Sequence, residues 1–164
     1  GFVFELVKKE ITTLYKNDGT AVVPGGTIPQ ADTRYFYENT NGNLSEGANV
    51  SRVCVSTSPS LSSPLVDVED YTDAEVTTVC NFGPYGTIAG FAIMFFLNSS
   101  KAIIGGFSTG NSQHGCENKG VSNDLRTLSM PIPEGSKYVI CTFCADNTTN
   151  LFDFKLTLSK KIIG

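Results

Sequence analysis

The densest group of carboxylates in this chain is Asp67, Glu69, Asp70, Asp73 and Glu75. Paired carboxylates do acid–base chemistry, and several gathered in a flexible loop bind a hard cation such as calcium. No Asp-x-Asp-x-Asp-Gly loop surrounds them. On a strand, Asp67 and Glu69 share one face and Val66 and Val68 the other, which is what a strand with one solvated face requires. Two readings therefore stand side by side, a solvated strand face and a structural calcium site. No other cofactor is expected.

Nucleophilic catalysis finds little to work with. His114 is the sole histidine, and no Gly-x-Ser-x-Gly elbow surrounds any serine. Five cysteines occur, Cys54, Cys80, Cys116, Cys141 and Cys144, an odd number that does not suit a closed disulfide framework. The Cys141-x-x-Cys144 pair lies in a segment that reads as a strand, where positions i and i+3 face opposite sides, and no second ligand pair follows it. No zinc or redox site at these cysteines and no enzymatic activity are expected.

Sugar binding leaves a different trace: aromatic rings for the C–H faces of a sugar, and planar polar groups for its hydroxyls. Tyr85 lies in Asn81-Phe-Gly-Pro-Tyr-Gly86, a tight loop that would present the ring outward, with Asn81 beside it. Tyr35 and Tyr37 share one face of their strand and serve equally as core-edge residues or as a stacking platform. Arg52 and Arg126 offer hydroxyl-bonding forks, against the plainer reading of surface charge. His114 adds a polar group on the Gly-rich stretch from Gly105 to Asp124, against the plainer reading of a solvated loop histidine. The expected ligand-binding set is Tyr85, Asn81, Arg52, Tyr35, Tyr37, His114 and Arg126. The Asn-x-Ser/Thr sequences at Asn43, Asn49, Asn98 and Asn147 are read as products of a Ser/Thr/Asn-rich composition.

These residues must be held by a domain of 164 residues, a length that suits one sandwich-sized unit, residues 1–164. Hydrophobic residues are 40% and charged residues 17%, which excludes disorder driven by charge. The net charge is −4, and no cationic cluster exceeds Lys8-Lys9 or Lys160-Lys161, so nucleic acid is not an expected partner. The longest apolar run, Ile88 to Leu97, falls well short of the roughly 20 residues that span a bilayer, and membrane insertion is not expected. The chain opens at Gly1 without an initiator methionine, as an excised piece of a larger multidomain protein would. No targeting signal is visible in it, and the extracellular or cell-surface location expected goes with the glycan-binding function given below.

Strand signals dominate. Phe2–Val7, Ile11–Tyr15, Thr33–Tyr37, Ser51–Ser56, Leu65–Glu69, Glu75–Cys80, Lys101–Ile104, Leu125–Met130, Tyr138–Phe143 and Leu151–Leu158 are β-branched, aromatic or alternating. Ala89–Leu97 is apolar on both parities, as in a central strand covered on both faces. Asp18-Gly19 is a hairpin signal, and Glu38 to Gly42 is a turn cluster. Gly105–Asp124 reads as one long irregular loop. No window carries a capped helical stripe. The sum is an all-β, antiparallel β-sandwich.

Ser63-Pro-Leu-Val-Asp-Val-Glu-Asp-Tyr71, the strand Val76–Cys80, the run Ala89-Gly-Phe-Ala-Ile-Met-Phe-Phe-Leu-Asn-Ser-Ser-Lys-Ala-Ile-Ile-Gly-Gly106 and Met130-Pro-Ile-Pro-Glu-Gly-Ser-Lys-Tyr-Val139 follow one another in order. This order resembles the galactose-binding-like jelly-roll modules of gut-bacterial glycan-degrading proteins and of phage tail proteins, across about half the chain. The resemblance implies a jelly-roll sandwich and no residue-level role. The function expected is a non-catalytic carbohydrate-binding module that holds its host protein on a polysaccharide or cell-surface glycan, as a monomer. The alternative is a structural or receptor-binding domain of a phage tail or fibre assembly, built as a homotrimer.

Overall fold

The computed structural model describes residues 1–15, 21–22, 36–38, 44–46, 60–80, 92–108, 115–120, 122–144 and 154–164. In chain order the strands are β1 (Val3–Ile11), β2 (Leu14–Tyr15), β3 (Ala21–Val22), β4 (Phe36–Glu38), β5 (Leu44–Glu46), β6 (Ser60–Ser62), β7 (Val66–Asp67), β8 (Asp73–Cys80), β9 (Ala92–Leu97), β10 (Ile103–Ser108), β11 (Cys116–Asn118), β12 (Ser122–Pro131), β13 (Tyr138–Ile140), β14 (Thr142–Cys144) and β15 (Phe154–Ile163). No α-helix occurs among the described residues, and so none long and apolar enough to cross a membrane.

Two larger sheets carry the fold. One has the order β1-β15-β8-β12, the other β11-β10-β9-β13-β7; β14-β6-β2-β3 and β4-β5 form smaller ones. All pairings are antiparallel except β10 with β11. Ala74, Val76, Leu156 and Leu158 of the first large sheet share one buried cluster with Val66, Met94, Phe96 and Val139 of the second. Over its described residues the chain is therefore nearly all β, with two antiparallel-rich sheets over a common core, an arrangement compatible with a β-sandwich.

Alternation does the sorting. On β8, Ala74, Val76 and Thr78 are buried while Glu75 is exposed, and on β15 Phe154, Leu156 and Leu158 are buried while Lys155 is exposed. In β9, Ile93 through Leu97 are all buried, on both parities. Met94 and Phe96 enter the shared core, whereas Phe95 and Leu97 join Ile103, Cys116 and Ile140 in a second cluster on the opposite face. The two-sided central strand expected from the apolar run is present over its described residues, 92–97.

Two chain segments pass from one sheet to another side by side. β6 and β7 pair with β14 and β13, the first pair in a small sheet and the second in the five-stranded one. Between Ser62↔Thr142 and Val66↔Val139, residues 63–65 face only residues 140–141, which is a bulge. Ser63, fully buried, holds this corner: its N–H donates to the Cys141 carbonyl at 2.8 Å and its Oγ accepts from the Cys141 N–H at 2.9 Å. The single strand expected over Tyr138–Phe143 is thus two, broken at the corner residue Cys141.

Of the loop expected from Gly105 to Asp124, the described residues are mostly strand, forming the end of β10, β11 and the start of β12, while residues 109–114 and 121 lie outside the described ones. Glycine there suggests a loop, but Gly106 serves a close approach. Gly106 sits at φ 134° beside β9, and a Cβ there would overlap the Met94 carbonyl oxygen. Asn98 Oδ1 accepts from the N–H groups of Ser100 and Ala102 at 2.9 and 3.0 Å, closing the β9–β10 turn. Tyr15↔Ala21 and Glu38↔Leu44 are the pairs that flank the expected hairpin turn at Asp18-Gly19 and the expected turn cluster, and residues 16–20 and 39–43 between them lie outside the described ones. The expected strand Ser51–Ser56 also lies outside them.

Candidate functional site

The outward face of the β1-β15-β8-β12 sheet carries a cleft of about 210 Å³. Register assembles it: Glu75 stands opposite Thr157 on one side and Ser129 on the other, and Asp73 stands between Ser159 and Pro131. Glu5 and Lys161, cross-strand partners on β1 and β15, form its end. Lys161 Nζ lies 3.6 Å from Asp73 Oδ1 and 4.0 Å from Glu5 Oε2. Asp73 Oδ2 also accepts from the Thr72 hydroxyl at 2.6 Å. Pro131 and Met130 supply apolar surface beside these groups. The result is a shallow recess offering carboxylate acceptors, hydroxyls that donate or accept, and one ammonium, a set suited to a ligand rich in hydroxyl groups.

The carboxylates singled out in the sequence divide between three settings. Asp67 and Glu69 are exposed, while Val66 and Val68 are buried beneath them. Both acids bind Lys137, whose Nζ is 2.7 Å from Asp67 Oδ2 and 2.8 Å from Glu69 Oε1. The hydrogen bond from Lys137, with the Glu69 N–H as a second donor, holds the Asp67 carboxyl below its ordinary range. The same two carboxylates push the Lys137 ammonium upward. Asp73 and Glu75 line the cleft, and Asp70 is exposed in the turn that follows β7. Among the described residues no three His, Cys, Asp or Glu side chains are grouped to hold a metal ion.

Of the expected ligand-binding residues, Tyr85, Asn81, Arg52, Tyr35 and His114 lie outside the described residues. Tyr37 lies on β4, its backbone paired with Ser45. Arg126 lies on β12 opposite Thr78, on the inward parity with Leu128 and Met130. Its guanidinium donates to the main-chain carbonyls of Lys119, at 2.8 Å, and of Gly120. Arg126 therefore ties the first sheet to the chain leaving β11 on the second. Next to this tie, Lys119 reaches Glu117 at 2.9 Å and lies 5.2 Å from the centre of the Phe107 ring.

Lys161, Ser129 and Thr157 had no place among the sequence candidates. Each reads alone as the outward residue of an alternating strand. Only the pairing register of β8, β12 and β15, which joins residues far apart in the chain, groups them. Comparison with known proteins returns no matching family model, no matching curated relative and no matching solved structure.

Proposed function

We propose that this chain is a non-catalytic carbohydrate-binding module, with its strands arranged as a galactose-binding-like jelly roll, that holds its host protein on an extracellular or cell-surface glycan. The observation that supports the reading is the polar cleft between Glu5, Asp73, Glu75, Ser129, Thr157 and Lys161 on an open sheet face. Carboxylates and hydroxyls fixed on paired strands are pre-positioned for sugar hydroxyls, and weak single sites gain through several copies or several modules. The cleft is additional to the Tyr85 loop, where aromatic stacking was expected, and the two make separable predictions. Retention of the intact protein on a panel of insoluble polysaccharides and glycan arrays, with and without EDTA, tests the reading. Binding to one polysaccharide class is expected. Loss of that binding in Glu75→Ala assigns it to the cleft, loss in Tyr85→Ala assigns it to the loop, and EDTA sensitivity returns the calcium reading. A blank panel removes the carbohydrate reading.

The second reading, a structural or receptor-binding domain of a phage tail or fibre assembly, draws support from a different feature. Phe2, Val3, Phe4, Leu6, Val7, Ile162 and Ile163 are large apolar residues left exposed on the β1–β15 ribbon. Three copies in solution are expected on that reading.

A further inference from the structure

β1 is an edge strand, paired with β15 on one side and, among the described residues, with no strand on the other. Edge strands of stable monomers are blunted by lysines, bulges or a covering element. The blunting here is confined to one end: the bulge between Val7 and Lys9 and the pair Lys8-Lys9 guard the stretch near Glu10. Val3-Phe-Glu-Leu-Val7 has no such guard, and Val3, Phe4 and Val7 are more than half exposed. This stretch also lacks sheet support. β15 leaves β8 at Ser159↔Asp73, so beyond that point β1 and β15 continue as a two-stranded ribbon, which is marginal in water without a third strand.

The backbone of this stretch is set for a particular partner. Phe2 and Gly164 exchange both hydrogen bonds, at 3.0 and 2.6 Å. Antiparallel alternation then turns the N–H and C=O groups of Val3, Glu5 and Val7 away from β15, toward the free edge. We propose that a second copy of this chain pairs there, β1 to β1 and antiparallel, about a two-fold axis at Leu6. This joins two four-stranded sheets into one continuous sheet of eight.

Charge selects the register. An axis at Glu5 would set Glu5 directly against its own copy, a like-charge pair that is destabilising. An axis at Leu6 sets Glu5 against Val7 of the second copy, covers Leu6 with Leu6 and keeps these pairs within the stretch before the bulge. The outward-facing backbone groups of Glu5 and Val7 then meet their counterparts in closed pairs, twice by symmetry. The pairing is independent of the carbohydrate reading, which by itself expects a monomer; a dimer would present two copies of the cleft on one sheet face.

Light scattering and sedimentation across a concentration series test the proposal, with thermal unfolding of each variant as a check on folding. The wild type is expected to approach twice 17.6 kDa. Val7→Glu, which opposes Glu5 in both symmetric positions, is expected to weaken the dimer by about tenfold. Val7→Lys, which opposes Glu5 with a cation, is expected to bind at least as tightly as the wild type. A monomer at every concentration overturns the proposal, as does a trimer, and so does a dimer indifferent to both substitutions.

Discussion

Lys137 and Asp67 lie 70 residues apart in the chain, yet the Lys137 ammonium sits 2.7 Å from Asp67 Oδ2 and fastens the outer edge of the five-stranded sheet. β7 is only two residues long. Its pairing with β13 continues as a Val68 N–H to Lys137 carbonyl bond of 3.0 Å, so the same residue holds the edge by main chain and side chain. Asp67 is exposed and Lys137 partly so, which keeps the pair's contribution to stability small, and that same small free energy sets its pH dependence.

Substituting Lys137 by Met tests that dependence. The Asp67 carboxyl is held below its ordinary value of 3.8 in the folded chain, so its contribution is present above about pH 3.8 and is lost as pH falls through the lowered value. The Lys137 ammonium is raised above its ordinary 10.5, so its contribution is present below that pH and is lost as pH rises through the raised value. The difference in Tm between wild type and Lys137→Met is therefore expected to be flat between these limits and to shrink on strong acidification. A difference that persists unchanged below about pH 3 would contradict the assignment.

Ser63→Ala removes the hydroxyl that accepts from the buried Cys141 N–H at the corner where β6 becomes β7. Losing the acceptor of a buried donor is expected to cost about 1–3 kcal/mol. Chemical denaturation of the variant measures it, with a shift in midpoint and an unchanged slope expected.

Gly106→Ala and Gly120→Ala form a matched pair. Both glycines have positive φ, 134° and 71°. At Gly120 nothing lies within 4 Å of an added Cβ, and only the conformational cost of about 1–2 kcal/mol is expected. At Gly106 the methyl group would collide with the Met94 carbonyl, so the strand pair must move, and a loss above about 3 kcal/mol or failure to fold is expected. Equal losses at the two positions, read from denaturation midpoints, would show that β10 and β9 can separate cheaply.

Arg126→Lys separates a tie from a ligand contact. A lysine cannot reproduce the fork that reaches two main-chain carbonyls at once. Faster amide hydrogen exchange at residues 116–120 is expected, with glycan retention unchanged. Lost retention with unchanged exchange would return Arg126 to the binding surface.

The sheet content was readable because alternation is written locally: Val76 against Glu75 and Leu156 against Lys155 each declare an inward and an outward side. The two-sided burial of Phe95 and Phe96 was readable for the same reason, as a run with no polar parity. Register was not readable, since Glu75 meets Thr157 and Ser129 only through pairings with distant segments. The cleft exists only in that register. Gly105–Gly106 misled because glycine marks both a loop and a strand pressed against its neighbour, and the Met94 carbonyl that decides between them lies on another strand. The corner at Cys141 was hidden because a bulge leaves the flanking residues strand-like, and Arg126 looked like a surface fork because its acceptors are main-chain carbonyls, which carry no side-chain signature.

The pairing of Phe2 with Gly164 also fixes how the fold bears load. A pulling force across these two residues meets the β1–β15 hydrogen bonds end-on, so they break singly and in sequence from the tip, as a zipper does. Each bond resists with only about 1 kcal/mol. Resistance rises when the tear reaches the buried Leu158 and Leu156, which are packed into the shared core. Tension entering through this ribbon is thus dissipated in small steps, and the core and the cleft's inner wall stay intact until the ribbon has opened.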